Sequence, residues 1–157
     1  MTKALVPGSF DPITVGHMSI IERASKMYEE VFVTVFINPD KTPRFDIDSR
    51  VEMIRGALSH LDNVRVDTDD GMLADYCERN GITVAVKGAR NSVDFEYEKR
   101  MAEFNKSKNP KLDTVLLFPE KELGDVSSTA IYDMIKSGGC FEKYIPNGAL
   151  QILKKLI

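Results

Sequence analysis

The 157-residue sequence predicts an α/β fold: a doubly wound sheet of five mainly parallel strands with helices on both faces. Three observations predict it. Strand-like and helix-like segments alternate along the chain. Residues 31–37, Val-Phe-Val-Thr-Val-Phe-Ile, form an almost unbroken β-branched and aromatic run, as a strand covered on both faces requires. The unusual polar segments also follow strands, at the edge where open parallel sheets bind ligands.

The elements are read in order. Ala4–Val6 enters a turn at Pro7-Gly8. Ile20, Ile21, Ala24 and Met27 recur at helical spacing over residues 17–28. The strand at 31–37 stops at Asn38-Pro39-Asp40. Asp46 or Asp48 caps a helix carrying Val51, Ile54, Ala57, Leu58 and Leu61 on one face. Val64–Val66 is a short strand, and Met72–Arg79 a helix stopped by Asn80-Gly81. Ile82–Val86 is the fourth strand and Val93–Lys106 a long charged helix with Glu96 and Arg100 as an i,i+4 pair. Thr114–Phe118 is the fifth strand. Ser127 or Ser128 caps a helix to Lys136, and Pro146 starts a last one bearing Leu150, Leu153 and Leu156.

Composition narrows the function classes. The length suits one domain, residues 1–157, able to bury a core without disulfides. A net charge of −3 argues against nucleic acid as a partner. The two cysteines, Cys77 and Cys140, lack metal-ligand spacing and are expected to be free, buried thiols of a reducing compartment. Neither a leader-like N-terminus nor a membrane-length apolar run is present, so a cytoplasmic protein without membrane association is expected.

Four polar segments are expected to converge at the strand ends: 8–17, 38–44, 87–90 and 124–129. Thr14-Val15-Gly16-His17 brings a hydroxyl and an imidazole to one helix start, where free N–H groups favour an anion. A capping threonine beside a surface histidine would fit the spacing as well. Lys41 and Arg44 sit in a loop stiffened by Pro39 and Pro43, and Lys87-Gly88-Ala89-Arg90 sets two cations around a glycine. Ser127-Ser128-Thr129 puts three hydroxyls at a helix start, where one suffices as a cap. Walker, dinucleotide-fingerprint and serine-elbow motifs are absent, and no nucleophile–base pair suggests covalent catalysis.

Gly8-Ser9-Phe10-Asp11-Pro12 with Thr14-Val15-Gly16-His17 resembles the T-x-G-H signature of the nucleotidylyltransferase superfamily. Ser127-Ser128-Thr129 is similar to its second signature, I-S-S-[ST], with Val126 in place of isoleucine. With Lys87-Gly88-Ala89-Arg90 and Asp94-Phe95-Glu96-Tyr97-Glu98, the pattern over essentially the whole chain resembles the bacterial phosphopantetheine adenylyltransferases.

That resemblance implies a Rossmann-like domain, a homohexamer and adenylyl transfer from ATP to 4′-phosphopantetheine with Mg2+ accompanying ATP. It implies catalytic roles for His17 and Lys41. It places ATP on Ser9, Phe10, His17, Gly88, Ala89, Arg90, Glu98 and the stretch Leu123, Gly124, Asp125, Val126, Ser127, Ser128 and Thr129. It places phosphopantetheine on Ser9, Lys41, Leu73 and Lys87, and no carboxylate cluster suggests dedicated metal ligands. Three positions depart from the family pattern: Lys87 stands where arginine is usual, Ser9 where threonine is frequent, and Gly124-Asp125 where an aromatic is frequent. Two alternatives stand beside this reading: a sister enzyme with another phosphate acceptor, and a nucleotide-binding regulator without catalysis.

Overall fold

In the computed structural model, which describes residues 1–157, strands and helices alternate along the chain. The order is β1 (Lys3–Gly8), α1 (Val15–Met27), β2 (Glu30–Phe36), α2 (Ile47–Leu58), β3 (Val64–Asp69), α3 (Leu73–Asn80), β4 (Val84–Gly88), α4 (Ser92–Lys108), β5 (Asp113–Leu117), α5 (Ser128–Ser137) and α6 (Asn147–Leu156). Short 3-10 turns at Lys121–Leu123 and Glu142–Tyr144 complete it. All four strand pairings are parallel, in the order β3-β2-β1-β4-β5. The predicted doubly wound sheet is therefore present.

Strand alternation builds two cores. Ala4 and Val6, Val31, Val33 and Val35, and Val86 meet Ile20, Ile21 and Ala24 of α1, Met53, Ile54, Ala57 and Leu58 of α2, and Leu153 of α6. On the other face, Leu5, Phe32 and Ala85 meet Tyr76 and Cys77 of α3, with Ile82 and Leu112. Successive side chains of a strand point to opposite faces, so β1, β2 and β4 each feed both layers. This is why residues 31–37 read as a continuous apolar run.

The boundaries differ from the sequence reading in instructive ways. β4 begins at Val84 and ends at Gly88, so Lys87 and Gly88 lie within the strand, opposite Leu116 and Leu117. The apolar Ile82 is buried before the strand, its N–H donating to the Cys77 carbonyl. β3 runs on to Asp69 because the register with Thr34–Phe36 continues along a half-exposed edge where polar residues are tolerated. Asp46, not Asp48, caps α2, its carboxylate accepting the Ser49 N–H at 2.7 Å. Arg100 reaches the Glu96 carbonyl rather than its carboxylate, so the predicted ion pair does not form. Cys77 is buried but Cys140 is exposed, because it follows the Gly138-Gly139 end of α5 rather than a core-facing turn.

Helices α2 and α6 cross at Gly56 and Gly148. A Cβ at either position would run into the backbone carbonyl of the other. Backbone cannot yield as a flexible side chain can, so added volume must separate the helices. Gly56→Ala or Gly148→Ala is expected to destabilise the fold by about 2 kcal/mol in chemical or thermal denaturation. Gly124→Ala, whose Cβ would meet only the Lys121 carbonyl at 3.6 Å, should be near neutral.

Candidate active site

The strand order reverses between β1 and β4. Chains leave the two strands toward opposite layers there, which opens a crevice at their carboxyl ends. A cleft of about 590 Å3 occupies this place. Its floor is Val6–Phe10 and Val86–Gly88, its α1 wall is Gly16, His17 and Ile20, and its α4 wall is Arg90, Val93, Asp94, Tyr97 and Glu98. Pro119, after β5, closes the rim.

The start of α1 fixes the histidine. Thr14 is the N-cap, with its hydroxyl accepting the His17 N–H at 3.2 Å. The His17 ring returns the contact, Nδ1 accepting the Thr14 N–H at 3.0 Å. This is a capping box with histidine in the place normally held by Glu or Gln. A ring nitrogen that accepts from a backbone N–H carries no proton, so the neutral imidazole has its hydrogen on Nε2. Burial, with a smaller contribution from the Lys87 charge, lowers the His17 pKa from 6.5 to about 4. The side chain at pH 7 is therefore a neutral Nε2–H donor. No acidic residue occupies the first turn, and the N–H groups of Val15 and Gly16 have no intrahelical acceptor. One directional donor and a helix N-terminus thus share a wall of the cleft.

The β1 turn supports this ring. Phe10 is buried at φ 47°, a left-handed conformation unusual for an aromatic residue, and its ring packs edge-on to His17 with centroids 4.9 Å apart. A Cβ on Gly8 would press on the Phe10 ring at 3.0 Å. Two residues not singled out from the sequence hold the turn. Buried Asp11 accepts the N–H of Arg44 at 2.7 Å and of Phe45 at 2.9 Å. Buried Arg50 donates to the carbonyls of Ser9 and Phe45, both at 3.0 Å. An arginine at helical spacing with Ile54 and Ala57, on the otherwise apolar face of α2, was the available signal for Arg50; Asp11 gave none beyond its place in the motif.

The cations of the opposite wall are paired. Lys87 Nζ lies 3.3 Å from the buried Glu98 carboxylate, and Arg90 Nε lies 3.0 Å from Asp94. Arg90 holds the Asp94 carboxyl below its usual range through these hydrogen bonds. Both pairs border the cleft, so an incoming anion meets cations already oriented by carboxylates rather than free to wander.

A model of the cytidylyltransferase-like family matches residues 5–134. The phosphopantetheine adenylyltransferase of Heliobacterium modesticaldum is 45% identical over 150 residues, 96% of this chain and 89% of that protein. The one from Clostridium novyi is 41% identical over 157 residues, 100% of this chain and 96% of that protein. The chain belongs to the phosphopantetheine adenylyltransferase family. Solved structures with the same fold include a nicotinic acid mononucleotide adenylyltransferase of Plasmodium falciparum, with a TM-score of 0.70 at 17% identity, covering 99% of this chain and 95% of that one. A bifunctional NMN adenylyltransferase/ADP ribose pyrophosphatase of Francisella tularensis gives a TM-score of 0.73 at 17% identity; the match covers 99% of this chain and about half, 48%, of that one.

Of the residues that the family pattern singles out, Ser9, Phe10, His17, Lys87, Gly88, Arg90 and Glu98 line the cleft. Ala89 is buried behind it, its N–H donating to the Leu117 carbonyl. Leu73 lines a narrower recess of about 60 Å3 that shares Lys87, Tyr97 and Glu98 with the cleft. Lys41 is exposed in the loop after β2 and makes no ion pair. Leu123–Thr129 lies outside the cleft wall, though Val126 approaches the Gly16 position and Ser128 Oγ donates to the Pro12 carbonyl at 2.8 Å. Ser127 is the cap of α5, accepting the Ala130 N–H at 3.1 Å, and Thr129 Oγ1 accepts from Arg44 at 2.6 Å. Ser127 thus caps its own helix, while Ser128 directly and Thr129 through Arg44 fasten α5 to the first motif. Asp94, Tyr97, Val93 and Pro119 line the cleft without having been assigned to it from the sequence.

The donor set does not suit a resident divalent ion. No group of three His, Cys, Asp or Glu side chains is gathered anywhere, and the two carboxylates at the cleft are each engaged by a cation.

The depressed His17 pKa has a signed consequence. Below pH 6.5 the unfolded chain binds a proton on this ring that the folded chain refuses until about pH 4. Stability contributed at this site is thus intact above 6.5 and is lost as pH falls toward 4. An NMR titration of His17 should give a midpoint near 4, and Lys87→Met should raise it by removing a nearby positive charge. A midpoint near 6.5 would show that the ring is not desolvated.

Proposed function

We propose that this chain transfers the adenylyl group of ATP to 4′-phosphopantetheine, giving dephospho-coenzyme A and pyrophosphate. Membership of the adenylyltransferase family supports the reaction. The observation that carries the site assignment is the Thr14–His17 capping box, which aims a neutral donor and a helix N-terminus into a cleft at the sheet's switch point.

In this reading an oxygen of the phosphopantetheine phosphate attacks the α-phosphorus of ATP. A new P–O bond forms, the α–β bridging P–O bond breaks, and pyrophosphate leaves with the electron pair. No covalent enzyme intermediate is needed. Positioning and charge stabilisation do most of the work in such a transfer. His17 Nε2–H donates to an α-phosphate oxygen as charge grows there. At the β1 turn Ser9 holds both substrates and the Phe10 backbone holds ATP. Gly88, Ala89, Arg90 and Glu98 hold ATP from the opposite wall. Lys87 takes the acceptor phosphate, as a point charge rather than the bidentate fork that arginine would present. Lys41 swings in from its exposed loop to neutralise developing charge, and Leu73 receives the apolar part of pantetheine. The segment Leu123–Thr129 closes on the nucleotide. Mg2+ would come with ATP and supply charge neutralisation; the engagement of Glu98 and Asp94 by Lys87 and Arg90 supports an ion carried by the nucleotide rather than by the protein.

A homohexamer belongs to the same proposal. Val93, Phe95, Tyr97, Met101 and Phe104 of α4 are exposed, which supports coverage of this helix by a second copy. No helix is long and apolar enough to cross a membrane.

The test is direct. Purified protein with ATP, Mg2+ and 4′-phosphopantetheine should release pyrophosphate and form dephospho-coenzyme A. Product with nicotinamide mononucleotide or glycerol phosphate but none with phosphopantetheine would reassign the acceptor. His17→Ala should cost at least roughly a hundredfold in kcat, as removal of one oriented transition-state donor does. Full turnover in that variant would remove His17 from the mechanism.

A further inference from the structure

Arg44, at the end of the loop after β2, touches two separate parts of the site's frame. Its backbone N–H donates to the Asp11 carboxylate at 2.7 Å. Its Nη1 donates to the Asp11 carbonyl at 3.0 Å, directly after Phe10 in the β1 turn. Its Nη2 donates to Thr129 Oγ1 at 2.6 Å in the first turn of α5, and the guanidinium lies 5.4 Å from the Tyr132 ring centroid. These contacts bridge residues 33 and 85 positions apart in the sequence.

The loop before it has little else to hold it. Residues 37–44 are exposed; between the Ile37 N–H on the Asp69 carbonyl at one end and the Arg44 N–H on Asp11 at the other, only the turn bonds of Asn38 to Asp40 and Lys41 restrain the backbone. Lys41 itself has no ion-pair partner. β2 fixes the loop at one end, and Arg44 fixes it at the other.

We propose that Arg44 is a positioning residue: its guanidinium latches the Lys41 loop to the β1 turn and to the start of α5, so that the lysine and the hydroxyl-bearing helix are set relative to His17 as one unit. This rests on the adenylyl-transfer reading of the site. Arg44 touches no substrate; it acts through the loop it closes and the helix it grips. Guanidinium suits the task because its fork reaches two acceptors in a fixed plane, the Asp11 carbonyl and the Thr129 hydroxyl, which an ammonium cannot do together.

Arg44→Met separates the latch from general packing. The backbone bond to Asp11 stays, and an apolar stem still covers Tyr132, while both guanidinium bonds go. Two charge-assisted bonds of this kind are worth roughly tenfold or more when lost. In Arg44→Met, kcat should fall about tenfold, and Arg44→Lys should recover only part of the loss. Thr129→Val removes one acceptor with its shape kept. In that background the Arg44→Met effect should shrink to about threefold or less, because the two share one interaction. Amide hydrogen exchange of residues 38–43 should quicken in both single variants. This readout needs no turnover: if the wild-type protein made no dephospho-coenzyme A, the functional reading would fail while the exchange result still decided the latch. Unchanged exchange in residues 38–43, a kcat within twofold of wild type, or an Arg44→Met effect undiminished by Thr129→Val would each overturn the proposal.

Discussion

Two reciprocal hydrogen bonds between Thr14 and His17 set the state of the ring on which the proposed chemistry depends. They cap α1, and in doing so they take the proton off Nδ1 and leave it on Nε2. Few side chains can both finish a helix and present a donor to a ligand. A glutamate in the same place would complete the box but bring a negative charge to the helix end that receives phosphate in the proposed reaction. The histidine completes it without charge, because burial and Lys87 keep the ring neutral at pH 7.

Everything around the box holds it in place. The strand reversal between β1 and β4 opens the cleft, and the buried Phe10 ring backs the imidazole. Asp11 and Arg50, both buried, hold the turn that carries Phe10. Ser128 and Thr129 bring α5 against that turn, directly and through Arg44. The cations of β4 and the turn after it, paired with carboxylates of α4, complete an opposite wall whose charges are held in place. The His17 side of the site is thus held by buried hydrogen bonds, while Lys41 stands on an exposed loop anchored at its two ends.

The sequence made the fold and the floor of the site readable because both rest on local signals. The run at 31–37, the caps at Asp46 and Ser127 and the stop at Gly81 are written in neighbouring residues, and the structure realises each of them. The family signatures pointed to Ser9, Phe10, His17, Lys87, Gly88, Arg90 and Glu98, and all of these meet in one cleft. What sequence reading missed depends on distant partners. Lys87 and Gly88 extend β4 because β5 offers a ladder there, which polarity alone argued against. Glu98 and Asp94 are spoken for by cations on the preceding strand and turn. The three hydroxyls at 127–129 left capping and phosphate binding both open, and in the structure they form a cap and two tethers, whose partners are distant in sequence for Ser128 and Thr129. Asp11, Arg44 and Arg50 act across more than thirty residues, and no periodicity reports such contacts.

The nitrogen-15 spectrum of the His17 ring at pH 7, with and without ATP, tests the central claim most directly. The account predicts one neutral tautomer in the free protein, with the hydrogen on Nε2 and Nδ1 accepting from Thr14, and the Nε2 resonance alone perturbed strongly when nucleotide binds. A proton on Nδ1, or an imidazolium in the free protein, would contradict it.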